Sequence, residues 1–529
     1  MVAPDSMPST SDEATYDAII IGAGFGGCYA LHKFRQLGLR THLFEAGTAP
    51  GGVWHWNRYP GARVDSEIPF YQFSLREVWR DWNWSERFPG HEELRAYFKH
   101  VDSVLELSKD ISYSSEVVAA TYDNDKAQWR VKTQNGSLAR CTYLICATGS
   151  SIKAHRPDFK DMDKYKGELI HSAQWPEHFD ANGKRIAVVG AGASGVQCVQ
   201  ELTKDAAHLT SYIRTAAISL PMGQRKLGDL EQRANKGMYN AIFKLCRETR
   251  QGLGCEAGPP GSMKDVDPAV RERLFEELWA RGGFYFAASN YRDYVFDPES
   301  NNIIYQFWAK KTRERIKNPT KAAFLAPETA PFAFGTKRSC LEQNYYECLD
   351  QDHVDIVDLK TNPIKAFTET GIISEDNEER KFDAIILATG FDSMTGSLTS
   401  MGMLGKDGID MKERWKNGVF TYLAPTALTN GPVFLEIQVD FLVDMITKMR
   451  KENITTIEPQ HDAEVKWKQD IQDMNNKTLF RFTDSWYMGS NIPGKPREQL
   501  NYLAGIPQYD QDCRAAIEQW TGFNVTYSR

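Results

Sequence analysis

Two glycine-rich segments constrain this chain more than anything else in it: Gly22-Ala-Gly24-Phe-Gly-Gly27 and Gly190-Ala-Gly192-Ala-Ser-Gly195. Each follows a short run that is apolar on both faces, Tyr16–Ile21 and Arg185–Val189, as a buried parallel strand requires. Each opens a helical pattern, to about Leu37 and to Leu202, and each helix is followed by a second strand, Thr41–Glu45 and Leu209–Thr215. Strand, GxGxxG, helix and strand together form a dinucleotide-binding unit. The glycines allow the tight turn, the close approach of a pyrophosphate and close helix–strand packing. The helix N-termini supply N–H donors and partial positive charge. The two second strands end differently. Glu45 suits a ribose hydroxyl and repels a 2′-phosphate, whereas Arg214 and Thr215 suit a 2′-phosphate. The first unit is therefore expected to take FAD and the second NADPH.

The rest of the chain is organised around these units. Phe70–Leu107 reads as helical and aromatic, and Ile111–Lys132 as strands. Two further buried strands leave through Ala-Thr-Gly, at Gly149 and Gly390, and each marks a crossing between the units. Residues 217–330 read as a charged, mostly helical insertion; within it, Gly282-Gly-Phe-Tyr-Phe suits a core segment better than a mobile loop near substrate. The expected fold class is α/β, with two Rossmann-like domains and a helical insertion. The FAD-binding domain takes 1–150 and 386–529, the NADP-binding domain takes 151–216 and 331–385, and the insertion takes 217–330.

Net charge is −7 over 529 residues, with no basic patch for nucleic acid and no apolar run long enough for a membrane. Met1–Thr15 reads as a polar, acidic tail and not a secretory signal. Nine scattered cysteines fit reduced thiols and a cytoplasmic setting. Cys141 and Cys146 have a spacing seen in redox-active disulfides, but five apart on one strand their side chains face opposite ways. A dithiol mechanism is rejected, and no metal site is expected.

Between the first unit and the aromatic segment lies Gly51-Gly-Val-Trp54-His-Trp-Asn-Arg-Tyr-Pro-Gly-Ala-Arg-Val-Asp65, dense in planar and ionic groups. This stretch matches the pattern (A/G)GxWxxxx(F/Y)P(G/M)xxxD at every fixed position. Tyr165-Lys-Gly-Glu-Leu-Ile-His171-Ser-Ala-Gln-Trp175 matches FxGxxxHxxx(W/D), with Tyr for Phe. With two dinucleotide fingerprints flanking both, the chain resembles the type I Baeyer–Villiger monooxygenases over nearly its whole length. The resemblance implies an FAD- and NADPH-dependent enzyme that converts a ketone and O₂ to an ester or lactone through a flavin C4a peroxide stabilised by Arg338. It implies Arg338 as catalytic arginine and Asp65 as its acidic neighbour. Lys337, Arg214 and Thr215 would hold the 2′-phosphate, Trp54 and Tyr71 would line the flavin, and Trp486 would contact NADP. The remaining residues expected at the nucleotides are Gly22, Gly24, Phe25, Gly27, Glu45, Gly52, Val53 and Arg63 in the first unit. In the second they are Gly190, Gly192, Ser194, Gly195 and Gln197. His171 is expected in a domain linker with a part in domain movement.

One departure stands out. Between Leu423 and Ala424 the family pattern carries a strand of about 15 to 20 residues that is missing here, which would remove a strand from the FAD-domain sheet. Two alternatives stay open: a flavin monooxygenase that oxygenates nitrogen or sulfur, and a nucleotide-binding homologue with impaired catalysis.

Overall fold

The computed structural model describes residues 13–255, 257–424 and 428–528. The tail expected over Met1–Thr15 lies outside them up to Ser11 and Asp12. The strands run in chain order: β1 Ala14–Ile21, β2 Thr41–Phe44, β3 Ile111–Ser112, β4 Val117–Asp123, β5 Gln128–Thr133, β6 Leu138–Cys146, β7 Glu168–His171, β8 Arg185–Val189, β9 His208–Ile213, β10 Ser219–Pro221, β11 Cys340–Glu342, β12 Val354–Asp358, β13 Ile364–Phe367, β14 Gly371–Ser374, β15 Glu379–Lys381, β16 Ala384–Leu387, β17 Met403–Leu404, β18 Ile454–Pro459 and β19 Phe523–Tyr527. The first sheet has the order β17-β4-β5-β6-β1-β2-β3 and the second the order β12-β9-β8-β16-β7. Both are α/β, and the second is parallel throughout.

In each sheet the fingerprint strand has its own βα partner on one side and an Ala-Thr-Gly strand on the other. β1 lies between β2 and β6, and β8 lies between β9 and β16. That reversal of strand order is where open α/β sheets leave a crevice for a ligand. The two exits run alongside one another: Ala154 bridges Phe391, His155 N–H donates to the Gly390 carbonyl at 2.8 Å, and Asp392 N–H to the Lys153 carbonyl at 2.9 Å. The chain thus crosses between the sheets on a hydrogen-bonded pair of segments.

His171 ends β7, the edge strand of the second sheet, and is fully buried. It is not in a linker: the run Glu168–His171 pairs in register with β16, and sheet pairing overrides the linker reading. Its Nδ1 accepts from Ala173 N–H at 3.1 Å, and Nε2 lies 3.4 Å from the Thr389 hydroxyl. Burial, and then the Arg156 charge, hold its pKa down at about 4, from 6.5. Between those values the unfolded chain binds the proton and the folded chain does not. Stability therefore rises with pH through this window and is lost as pH falls through it, by on the order of 3 kcal/mol. His171→Gln should reduce the slope of the urea midpoint between pH 6.5 and 4; an unchanged slope would contradict the buried neutral ring.

The segment 217–330 is mostly helical, with helices at Asp229–Lys236, Tyr239–Glu248, Pro268–Arg281, Pro298–Arg313 and Pro319–Leu325. The stretch Phe70–Leu107 is less helical than its composition suggests. It holds only Arg76–Trp79 and His91–Leu105, joined by a loop whose Trp84 is buried among Trp82 and Tyr97. The long helix Gly431–Lys451 returns to pack on the first fingerprint helix, Phe25–Gln36, so the C-terminal part rejoins the first unit. No described helix is long and apolar enough to cross a membrane.

β6 contains a notch. Its first residues pair with β5 and its whole length with β1, but among the described residues no strand pairs with the outer edge of Thr142–Cys146. Leu423 and Ala424, on either side of the missing segment, lie outside any strand.

Candidate functional site

The first turn is built by contact. Gly22 has φ +101°, and a Cβ there would sit 2.6 Å from the Ala147 carbonyl oxygen at the end of β6. A Cβ on Gly27 would sit 1.8 Å from the Gly22 oxygen, so the helix can approach the strand only with glycine here. The second turn repeats this. Gly190 has φ +116° and meets the Ala388 oxygen, and a Cβ on Gly195 would lie 2.1 Å from the Gly190 oxygen. Neither fingerprint helix has a side-chain cap, and Gly24 and Gly192 precede first-turn N–H groups left for a ligand. At the end of β2, Glu45 is buried and accepts from Ala23 N–H and Gly47 N–H, both at 2.6 Å. A pyrophosphate at the turn and a ribose beside the carboxylate fit this donor and acceptor set.

The 51–65 stretch lies across this turn. Gly51 N–H donates to the Ala23 carbonyl at 2.9 Å. Gly52, with φ +54°, packs so tightly that a Cβ would come 2.8 Å from the Gly24 Cα. Val53 opens the short helix Val53–Trp56, from which Trp54 donates its indole N–H to the Tyr71 hydroxyl at 3.1 Å. The far end of the stretch touches the second unit. Gln197, on the helix Ala193–Leu202, accepts from the Tyr59 hydroxyl at 2.9 Å and donates to the Arg63 carbonyl at 3.1 Å. Ser194 lies beside the same Tyr59 hydroxyl.

Asp65 ends the stretch and receives Arg338 in a two-pronged pair, Nε to Oδ2 at 2.6 Å and Nη2 to Oδ1 at 2.8 Å. Desolvation pulls against the charge, but the Asp65 carboxylate outweighs it and raises the Arg338 pKa, so the guanidinium stays protonated. Its Cζ lies 5.2 Å from the Phe284 ring centroid, and Tyr487 hydrogen-bonds to it. Thr336, just before it, shares a 2.7 Å hydroxyl contact with Thr483, which ties the arginine's segment to the loop bearing Trp486 and Tyr487. Trp486 is half-buried and packs against Tyr487, with ring centroids 4.2 Å apart. Arg338, Lys337, Phe284 and Tyr487 all line a cavity of about 400 Å³.

Lys337 lies near Arg214, the residue after β9, and Thr215 follows it. Burial first, and then the Arg214 charge, lower the Lys337 pKa. Two cations held together, with no carboxylate at ion-pair distance from either among the described residues, suit a dianionic phosphate.

Three expected cofactor residues have other partners. The Phe25 ring enters a core of Tyr71, Phe73, Tyr97 and Phe98, because the aromatic 70–107 segment packs over the start of its helix. The Arg63 guanidinium is tied to Glu86 and the Phe88 carbonyl, both at 3.2 Å. Gln197 joins loop to helix, as described. The Gly282 run divides: Phe286 is core and Phe284 lines the cavity. Sequence reading assigns no role to Tyr59, Phe284 or Tyr487 individually, though each lies in a stretch that stands out: Tyr59 at a fixed position of the 51–65 pattern, Phe284 in the Gly282 run and Tyr487 next to Trp486. All nine cysteines are free, Cys141 and Cys146 included.

Two dinucleotide turns, together with a half-buried arginine–carboxylate pair whose arginine lines a cavity, define a flavin- and nicotinamide-dependent oxidoreductase. The family model for pyridine nucleotide-disulphide oxidoreductases matches residues 16–238. The FAD-binding monooxygenase acrE of Aspergillus aculeatus is 40% identical, over 97% of this chain and 90% of its own. Cyclopentanone 1,2-monooxygenase of a Comamonas species is 38% identical, over 96% of each chain. The crystal structure of cyclohexanone monooxygenase from Rhodococcus sp. Phi1 bound to NADP+ superposes with a TM-score of 0.93 at 32% identity, over 98% of this chain and all of that one. The chain belongs to the type I Baeyer–Villiger monooxygenases.

Proposed function

We propose that this protein inserts one oxygen atom of O₂ beside the carbonyl of a ketone, giving an ester or lactone, with FAD at the first glycine turn and NADPH at the second. The observation that carries the reading is the Arg338–Asp65 pair in the cavity wall, supplied by segments 273 residues apart. Bound there, FAD would take hydride from NADPH and activate O₂. The chain's own part is electrostatic. Arg338 presents a permanent charge and a forked donor set where oxygen becomes anionic, and Asp65 fixes the plane of the fork. Phe284 and Tyr487 pack against the guanidinium and shield part of it from water. Trp54 and Tyr71 would face the flavin, Lys337, Arg214 and Thr215 the 2′-phosphate, and Trp486 the nicotinamide nucleotide.

We assign residues 1–150 and 386–529 to the FAD unit, 151–216 and 331–385 to the NADP unit, and 217–330 to the insertion. Sheet membership supports the division, since β7–β9, β12 and β16 share one sheet and β1–β6 the other, but it disagrees with the boundary at 385: Ile386 and Leu387 pair with β7 and β8 as part of β16, so the NADP unit extends to Leu387. Nine free cysteines support a reducing, cytoplasmic setting.

The test is NADPH consumption by the FAD-loaded protein with cyclic, linear and aromatic ketones, amines and thioethers, followed by mass analysis. A lactone one oxygen heavier than its cyclic ketone is expected. Only N- or S-oxides would replace the reading with the nitrogen- or sulfur-oxygenating one, and no flavin spectrum after FAD is added would favour an impaired homologue. In the same assay, the double variant Arg214→Ala/Lys337→Ala should raise KM for NADPH on the order of 100-fold and leave NADH little changed.

A further inference from the structure

The cavity holds two cations that the Arg338 chemistry does not use. Besides Arg338 and Lys337, its wall carries Arg250 and Arg292, and Glu248 is its one carboxylate among the described residues. Glu248 lies beside Lys244 at 3.8 Å. Arg250 is strapped across the carbonyls of Leu503 and Ala504, and Arg292 is exposed. Among the described residues, neither has a carboxylate at ion-pair distance, unlike Arg338. Loss of hydration, and then the like charge of Arg292, hold the Arg250 pKa down at about 10, so the two guanidinium groups feel one another. Like charges facing one space cost free energy unless an anion joins them.

Among the described residues, the neighbouring tyrosines do not supply that anion. The Tyr294 hydroxyl donates to the Ala287 carbonyl at 3.0 Å, and the Tyr502 hydroxyl to Asp512 at 2.5 Å. Uncharged residues make up much of the wall here, apolar Leu253, Ala288, Val295 and Phe296 alongside polar Thr249, Gln251 and Asn430. The cavity thus joins an uncharged body, apolar in part, to a doubly cationic end.

We propose that Arg292, seconded by Arg250, binds the anionic group of a ketone substrate that carries a carboxylate on an apolar frame. This rests on the ketone-oxygenating reading above and names the substrate class of the same cavity.

The probes are 2-oxocyclopentaneacetate and its methyl ester, given to the FAD-loaded full chain with NADPH. The wild type should show a KM for the carboxylate at least about tenfold below that for the ester, as a charge-assisted pair predicts. Arg292→Ala should erase most of that advantage, leave kcat/KM for the ester within about twofold, and leave KM for NADPH unchanged. Arg292→Lys should keep part of the preference, and raising NaCl from about 50 to about 500 mM should erode it. Equal KM values in the wild type, an equal loss on both probes in Arg292→Ala, or a raised KM for NADPH would each overturn the assignment. If the ester is oxidised without a carboxylate preference, this inference alone fails; if neither these probes nor any ketone of the panel above is oxidised, the oxygenase reading fails. In that second case tryptophan quenching by the two probes makes the same comparison, and equal affinities overturn the anion site as well.

Discussion

Arg338→Ala is expected to make ester on the order of 10²–10³ times more slowly than the wild type, while anaerobic reduction of the flavin by NADPH stays within about tenfold. The asymmetry follows from geometry. The guanidinium has Nε and one Nη2 hydrogen fixed on Asp65 and its other donors beside the cavity it lines, so it acts where oxygen charge develops. The substitution also strands the Asp65 carboxylate in a half-buried site, which adds repulsion to the lost attraction. Arg338→Lys keeps a charge without the fork and should fall between the two. Rapid-mixing reduction and product quantification on the same preparations make the comparison. Ester formation by Arg338→Ala at near wild-type rate would remove the arginine from the chemistry.

Gly27→Ala is expected to destabilise the FAD unit by about 3 kcal/mol or more, or to prevent its folding. The added methyl would meet the Gly22 carbonyl oxygen at 1.8 Å, and that oxygen belongs to a turn already pinned against β6 through Ala147. No flexible side chain is there to give way. Gly24→Ala is the control, because its methyl would meet only the Gly52 Cα at 3.5 Å, an ordinary contact. It should leave the melting temperature of the flavin-free protein nearly unchanged and weaken FAD binding, since the methyl would stand where the pyrophosphate must come close. A Gly27→Ala protein that melts and binds FAD like the wild type would disprove the packing account.

The features legible in the sequence were those whose physics is local. A tight turn demands glycine at fixed spacing, and a buried parallel strand demands an apolar run, so both nucleotide units and their strands could be read directly. The difference between Glu45 and Arg214–Thr215 was legible for the same reason, because one residue at a strand end meets one group of a ligand. Side-chain direction within those motifs was not local. Phe25 follows Gly24 immediately, yet its ring turns into the Phe73–Tyr97 core, and Gln197 serves the 51–65 stretch. Arg338 was assigned to Asp65 only through the family's motif, since nothing in either segment announces a partner 273 residues away. Arg250 and Arg292 carried no signal at all, and Phe284 stood in a run that reads as core. They come from the helical insertion, where charge and aromatic residues look the same on a solvated face as on a cavity wall.

The notch beside β6 gives the protein an unusual weak point. Least-protected backbone normally sits at termini and loop tips. Here, among the described residues, the outer edge of Thr142–Cys146 pairs with no strand although β6 lies in the middle of a sheet, and the chain runs on to Ala147, whose oxygen abuts Gly22 at the nucleotide turn. Local opening is therefore expected next to the nucleotide turn as well as at the periphery. The same strip is a template on which a foreign extended chain can add a strand. Occupancy by the nucleotide and resistance to aggregation then become one quantity, with the ligand acting as the clasp on the sheet's exposed seam.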